Sequence, residues 1–561
     1  MEQMPLTPNG KIDRKALPAP EQISRSTQEY RAPRTAEEQA LAHVWEAVLG
    51  GGPVGLTDQF FDRGGDSIKA IQVSSRLLQA GYKLDIKDLF KYPEVAELAT
   101  HLRVPDTQLA DQEEVSGAVL LTPIQQWFVE QGQPVPDHYN QAVMLHREQG
   151  FEEESLRQAL KQLVVHHDAL RMVFRKVEQG WEAWNREVKE GKPYDLEVAD
   201  FKDVPIGPAL GQAIEARASA IQSSIRLDEG PLLKVGLFHC ADGDHLLLAI
   251  HHMVVDGVSW RILLEDLSNA YEQAVRGEVI QLPAKTDSFR VWSERLSAYA
   301  DSPSMENEHH YWEQVNELAA SESLRLAELP ESKNPLIINN TATLTLKFTK
   351  EETDQLLKQA HRAYNTEVND LLLTALGKTL SAWTGSEKVA ILLEGHGREE
   401  IMKDTDISRT IGWFTSQYPV LLRINREDDI SGHIKRMKEM LRSIPHKGIG
   451  YGIWRYLSQN VASRGAYAEP QISFNYLGEF DQTLRYSETR MSPYSSGTDV
   501  NEQTKMQCSL DVGGIVKDEM LELDIRYNTG VLQEENVIKL AKELKQNVLD
   551  VIRHCVTREH P

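Results

Sequence analysis

The stretch Leu246–Gly257, LLLAIHHMVVDG, constrains the fold more than any other part of the chain. Leu246 to Ile250 form an apolar run of strand length. The run empties into His251-His252, a short apolar spacer and the turn Asp256-Gly257. A strand ending this way sets an imidazole at a sheet edge, where a substrate can reach it. Imidazole is the side chain best matched to moving protons at neutral pH.

A second strand of this kind follows. Val389–Leu393 empties into Glu394-Gly395-His396-Gly397. From Leu120 onward, strand and helix patterns alternate around both runs. Helices are predicted over about Glu153–Leu170, Pro208–Ile225, Trp260–Arg276, Glu351–Ala363 and Glu367–Trp383, with a final one over 534–554. Strands are predicted around Met172–Val188, Leu232–Cys240, Leu344–Phe348, Val420–Ile424, Ile472–Tyr476, Cys508–Val512 and Leu521–Tyr527. The segment 278–340 reads as loop-rich. The expectation is two α/β lobes, about 118–285 and 286–561, each delivering an acid–base residue at a strand end. A ligand site belongs in the cleft between them.

With 561 residues the chain exceeds a single core and calls for several folding units. Its composition, 41% hydrophobic and 26% charged, is that of a soluble globular protein. A net charge of −23 argues against nucleic-acid or anionic-membrane partners, since no excess of Lys and Arg exists to neutralise phosphates. Cys240, Cys508 and Cys555 are far apart, match no metal-ligand spacing and need no disulfide, which suits a reducing cytoplasm. No metal is expected. No apolar run reaches the length of a membrane span.

Ahead of the lobes, prolines 5, 8, 18, 20 and 33 make the first residues a linker. Thr35 and Glu38 form a capping-box pattern. Leu41, Val44, Trp45, Val48 and Leu49 then share a helical face, and Gly50 ends it. A second helix begins near Ser67 and a third at Pro93, so 31–103 reads as a compact helical unit. Residues 104–117 are polar and acidic without periodicity, as in an interdomain linker. Inside the helical unit, Phe61-Asp62-Arg63-Gly64-Gly65-Asp66-Ser67 leaves the serine uncrowded at a helix N-terminus, where free amides favour an attached phosphate. By itself the pattern fits a plain Ser N-cap better.

The Gly-Gly-Asp-Ser string after its aromatic approach resembles the peptidyl carrier proteins of nonribosomal peptide synthetases. The resemblance implies a four-helix bundle carrying 4′-phosphopantetheine on Ser67. Asp66 is similar to the aspartate of carriers that precede epimerization domains. Leu6-Thr-Pro-Asn-Gly-Lys-Ile-Asp-Arg-Lys-Ala-Leu17 resembles the last motif of an adenylation domain, which makes 1–30 a remnant and Lys11 a stranded active-site lysine. From 118 to 561 the chain resembles the epimerization domains of these synthetases, with the two-lobed chloramphenicol-acetyltransferase-like fold shared with condensation domains. The motifs run in family order: Pro123–Phe128, His251–Gly257, Asp370–Gly377, Glu394–Glu399, Arg409–Phe414, Pro445–Gly452 and Phe474–Gly478.

The resemblance implies L-to-D equilibration at the Cα of an aminoacyl or peptidyl thioester. Such a reaction requires a base on one face of the carbon, an acid on the other and stabilisation of the developing oxyanion. His252 and Glu394 are the expected pair. His251 is expected to be structural, because adjacent strand residues point to opposite faces. Asp256 is placed at the site, orienting its loop and pairing with Arg171 of the segment His166–Arg171. His396 is expected to orient its loop. Arg398 and Arg409 suit either the arm's phosphate or neighbouring carboxylates. Asn475 and Tyr476 are implied on opposite faces of one strand, one at the thioester and one supporting the tunnel. Trp413 and Tyr418 read as packing. The rival is a condensation domain forming a peptide bond with the same His252; a degenerate docking module is the non-enzymatic alternative. Expected partners are an upstream adenylation domain, a downstream condensation domain and a phosphopantetheinyl transferase.

Overall fold

The computed structural model describes residues 30–105, 110–322, 336–458, 467–479 and 488–558. Lys11 and nearly all of the N-terminal tail lie outside them. The carrier unit is four helices: α1 (Ala36–Leu49), α2 (Ser67–Gln79), α3 (Ile86–Lys91) and α4 (Val95–Ala99). Thr35 caps α1 through the expected box, its hydroxyl accepting from Glu38 N at 3.2 Å. The cap of α2 is Asp66, whose Oδ1 accepts from Lys69 N at 2.8 Å, so Ser67 is the first helical residue and not the cap. Leu41, Trp45, Phe60, Val73, Leu77 and Leu89 form a core separate from the rest of the chain.

The N-lobe contains β1 (Gly117–Val119), α5 (Pro123–Glu130), β2 (Asn140–Arg147), α6 (Glu153–His166), β3 (Met172–Val177), β4 (Gly180–Asn185), β5 (Asp195–Asp200), α7 (Pro208–Ser223), β6 (Leu233–Cys240), β7 (Gly243–His251) and α8 (Gly257–Val275). Helices α9 (Phe289–Tyr299) and α10 (Pro303–Ser321) lead to the C-lobe. There follow β8 (Thr341–Lys347), α11 (Lys350–Lys358), α12 (Val368–Thr384), β9 (Lys388–Gly395), β10 (Ser416–Arg423), α13 (Ile430–Ser443), α14 (Ile449–Tyr456), β11 (Ile472–Glu479), β12 (Thr489–Met491), β13 (Leu510–Lys517), β14 (Met520–Asn528) and α15 (Glu534–Thr557). One sheet has the order β12-β2-β7-β6-β5, the other β10-β9-β11-β13-β14-β8, and a small sheet runs β1-β4-β3. Both β7 and β9 are inner strands, which explains their unbroken apolar runs.

The structure corrects three expectations. First, 278–340 is not loop-rich, since α9 and α10 occupy much of it. Ser288 and Ser302 cap them, and their spaced anchors Trp292, Leu296, Met305 and Trp312 are buried between charged residues that dilute the apolar signal. Second, the lobes do not divide cleanly near 286. β12 pairs with β2 in the N-lobe sheet, and Asn140 N donates to Asp499 O at 2.8 Å. Third, the C-terminal part of the linker is fastened to the domain. Lys285 N donates to Gln112 Oε1 at 2.8 Å, Arg290 to Ser116 O at 2.8 Å, and Gly117 already belongs to β1.

Candidate active site

β7 ends at His251, and His252 opens a short 3-10 turn, His252–Val254. His251 is fully buried. Its Nε2 donates to Pro136 O at 2.8 Å and its Nδ1 accepts from Met253 N at 3.1 Å. Desolvation pushes its pKa down to about 3, so it is a fixed neutral strut.

His252 differs. Its Nδ1 donates to Val255 O at 2.8 Å, and its Nε2 lies 3.1 Å from Gln141 Nε2. Trp260 Nε1 donates to Gln141 Oε1 at 2.9 Å, which turns the Gln141 amide nitrogen toward the histidine. An amide nitrogen can only donate, so His252 Nε2 accepts from Gln141 through its lone pair. Desolvation depresses the pKa of His252 and favours this neutral state. The ring stacks on Trp413, with centroids 4.2 Å apart, and on Tyr139 at 5.7 Å.

Glu394 is the penultimate residue of β9. Its Oε2 accepts from Asn475 Nδ2 at 2.7 Å and its Oε1 from Gln417 Nε2 at 3.0 Å. Gln417 is its direct partner across β10, and Asn475 comes from β11, the other neighbour of β9. The carboxyl is partly buried, and desolvation, with the charge of Asp511 second, pushes its pKa up to about 7 despite the two donors. Tyr139 links the two groups. It stacks on His252, and the charge of Glu394, after burial, helps to raise its own pKa.

Asp256 is engaged in structural contacts on both of its oxygens. It is buried, caps α8 through Ser259 N at 2.8 Å, accepts from Phe414 N at 3.0 Å and pairs with Arg398 at 3.2 Å. It does not reach Arg171, which instead pairs with Asp168 at 2.6 Å and donates to Val164 O at 2.7 Å. The reason is direction: the cap faces across the lobe boundary, toward the β9–β10 connection. Arg398 also donates to Ile407 O and Thr410 O, so this guanidinium is committed to joining the lobes. Arg409 pairs with the buried Asp266 and with Glu265. His396 accepts from Arg398 N at 3.0 Å and lies 3.2 Å from Glu399, as a loop-orienting residue should. Tyr418 is core. Trp413 is buried as expected but also forms the wall behind His252. Gln141 and Gln417 belong to none of the sequence motifs and escape a reading of the sequence; only strand register reveals them.

Ser67 borders two cavities. One, about 430 Å³, is also lined by Phe90, His396, Arg398, Arg442 and Lys447. The other, about 50 Å³, is also lined by Tyr476 and Gly478. Tyr476 therefore lies on the carrier side, while Asn475 holds Glu394. The exposed cations Arg442 and Lys447 suit a phosphate on Ser67. The carrier is held by Asp62 Oδ1, 2.9 Å from both His361 Nε2 and Arg362 Nε, by Lys69–Glu479 at 3.1 Å and by Ile68 packed on the large core. Lys447 Nζ lies 4.6 Å from the centroid of the Phe90 ring. Two His–Asp groups, His146/Asp242/His245 and His166/His167/Asp266, are candidate ion sites away from the His252–Glu394 pair, and hydrogen bonds already engage both.

The fold and site define a carrier joined to a two-lobed condensation-type enzyme. Residues 115–560 match the family described as Condensation domain, and 39–102 match Phosphopantetheine attachment site. The chain belongs to the condensation-domain family of nonribosomal peptide synthetases and bears a phosphopantetheine carrier domain. It is 50% identical over its whole length to one of the subunits of the mycosubtilin synthase of Bacillus subtilis, covering 21% of that protein. It is 42% identical to gramicidin S synthase 1 of Brevibacillus brevis over its whole length, covering 51% of that protein. The epimerization domain from the third module of tyrocidine synthetase B superposes with a TM-score of 0.76 at 40% identity, over 80% of this chain and 99% of that one. These matches establish the two-lobed chloramphenicol-acetyltransferase-like fold. Among the described residues, no helix is long and apolar enough to cross a membrane.

Proposed function

We propose that the chain interconverts L and D configurations at the Cα of an aminoacyl or peptidyl thioester carried on Ser67, within a nonribosomal peptide synthetase. The observation that carries this reading is Glu394. A carboxyl with a pKa near 7, fixed by two amides and supplied by the lobe opposite His252, is what proton exchange at carbon needs. Peptide-bond formation has no use for that second group. The likeness to an epimerization domain supports the same choice.

Bound through Ser67, phosphopantetheine supplies reach and a thioester that acidifies the adjacent Cα. Lys447 and Arg442 stand where they can bind its phosphate. His252 Nε2, its lone pair released from the Gln141 amide, accepts a proton on one face, and protonated Glu394 returns one on the other; the reverse direction exchanges the roles. Asn475 and Gln417 hold the Glu394 carboxyl in place, and Gln141 holds the imidazole. An adenylation domain upstream, a condensation domain downstream and a phosphopantetheinyl transferase are the partners this function requires.

The test is to load Ser67 with an L-aminoacyl and an L-peptidyl phosphopantetheine and analyse the chirality of the released acid. Approach to an L/D mixture without any acceptor supports the proposal. Retained configuration, with amide formed when an acceptor carrier is added, assigns condensation instead.

A further inference from the structure

Between α13 and α14 the chain makes the short turn Pro445–Gly448. His446 (φ 43°, ψ 41°), Lys447 (φ 50°, ψ 30°) and Gly448 (φ 91°) all lie in the left-handed region. Only the last of these is a glycine. For a residue with a Cβ this region is unfavourable, and two such residues in a row persist only where their surroundings impose it.

Two contacts impose it. Gly448 lies so close to Tyr418 that a Cβ would collide with the ring. His446 Nδ1 donates to Glu308 Oε1 at 2.7 Å. Glu308 comes from α10 and is buried, and it is itself held in place. Its Oε2 accepts from Trp312 Nε1 at 3.0 Å, and a Cβ on Gly450 in α14 would collide with the same oxygen. A buried carboxylate is costly unless its oxygens are satisfied, and both are. The strained turn is thus tied to a rigid point in the C-lobe. What the turn presents is Lys447. Its Nζ lies 4.6 Å from the centroid of the Phe90 ring, on the carrier helix α3, and 3.9 Å from Glu367 Oε1. Lys447 and His446 both line the cavity of about 430 Å³ that Ser67 borders.

Resting on the epimerase reading, we infer that Glu308 is a positioning residue for substrate delivery: through His446 it holds the left-handed turn that sets Lys447 against the carrier and beside the arm on Ser67. Glu308 acts only through these two residues. Without its carboxylate, His446 loses its anchor, the turn relaxes toward ordinary backbone angles, and the ammonium of Lys447 leaves its place at Phe90.

The experiment follows single-turnover inversion, by chiral analysis, in the full chain loaded on Ser67 with an L-aminoacyl phosphopantetheine. Glu308→Ala should slow inversion by about tenfold, as expected for loss of a hydrogen bond to a charged group. His446→Ala breaks the same bond from its exposed end and should do likewise, which guards against misfolding of the buried variant. Glu308→Gln should recover most of the rate, because its oxygen can accept from Trp312 while its amide donates to His446 in the other tautomer. A double-mutant cycle supplies the decisive reading. Once Lys447→Ala has removed the ammonium, adding Glu308→Ala should slow inversion no further. A second, multiplicative loss in that background would mean that Glu308 acts by another route and would overturn the inference, as would the parent rate in His446→Ala. Absence of inversion in the parent protein overturns the epimerase reading instead, whereas inversion that is indifferent to Glu308 leaves that reading standing and removes this one.

Discussion

The Asn475 amide donates to Glu394 Oε2 over 2.7 Å, so β11 holds the carboxyl proposed as one of the two acid–base groups. This bond favours the ionised form and works against the desolvation that lifts Glu394 to about 7. Asn475→Ala removes the donor, so the Glu394 pKa should rise further. The alkaline limb of the inversion rate should move up by about one unit, as expected for a hydrogen bond to a charged group. A limb that stays in place would show that Asn475 does not tune the carboxyl.

The pH profile of the parent protein follows from the same two groups. The active pair holds one proton, shared in either order between His252 and Glu394. Acidification adds a second proton as pH falls through the His252 pKa, which burial holds below 6.5. Alkali removes the last one as pH rises through the Glu394 value of about 7. Single-turnover rates from about pH 5 to 9 should therefore trace a bell with its alkaline side near 7, the two limbs belonging to the coupled pair. A rate rising monotonically past pH 8 would contradict this.

His252→Ala and Glu394→Gln should each slow inversion by about 10²-fold or more. The glutamine is nearly isosteric, so folding should survive. In deuterated buffer, a variant that retains one base can exchange the Cα proton without inverting it. Exchange with retention in one variant identifies the base for that starting enantiomer. Inversion at the parent rate in Glu394→Gln would leave His252 without its partner.

What sequence can show of the site depends on how local its cause is. His252 and Glu394 are legible because each follows an apolar run ending at a turn, a one-dimensional pattern. Gln141 and Gln417 are not, because a glutamine gains its role only from cross-strand register, Gln141 opposite Ile250 and Gln417 opposite Glu394. Asp256 is legible as a loop-orienting turn residue, but its arginine is not. Arg398 lies 142 positions away along the chain, whereas family analogy points to Arg171. The crossing of β12 into the N-lobe sheet rests on a three-residue strand, too short for any period to register. The carrier helices are readable from caps and spacing, with only the six-residue α3 lacking a periodic signal.

Asp256→Ala should destabilise the large domain rather than merely slow it. The side chain is buried, caps α8 and neutralises Arg398, which is itself buried. Breaking a buried pair from one side costs about 3–5 kcal/mol because the remaining charge has no partner. The lost cap adds to this by about 1 kcal/mol. Urea unfolding followed by tryptophan fluorescence should show a lower midpoint, and Asp256→Asn, which keeps a capping oxygen, should recover part of the loss. An unchanged midpoint in Asp256→Ala would exclude this joint between the lobes as a major source of stability.

Carrier docking offers a test that leaves the acid–base groups untouched. Asp62 accepts from His361 and Arg362, each at 2.9 Å, and these contacts outweigh burial to hold its carboxyl below the ordinary value. The carrier core is separate from that of the domain, so such bridges and Ile68 fix where Ser67 points. The Arg362 side chain is 43% exposed and that of Asp62 33% exposed, so the pair is worth at most about 1 kcal/mol, or about fivefold in docking. Arg362→Asp should slow inversion of a Ser67-bound substrate by about that factor, while Ser67 still accepts the arm from a transferase. Adding Asp62→Arg should restore part of the rate by reversing both charges. The defect should shrink at about 0.5 M salt, where screening removes most of the interaction. If Arg362→Asp inverts at the parent rate in low salt, this pair does not guide delivery, and Lys69–Glu479, far less exposed, becomes the contact to break next.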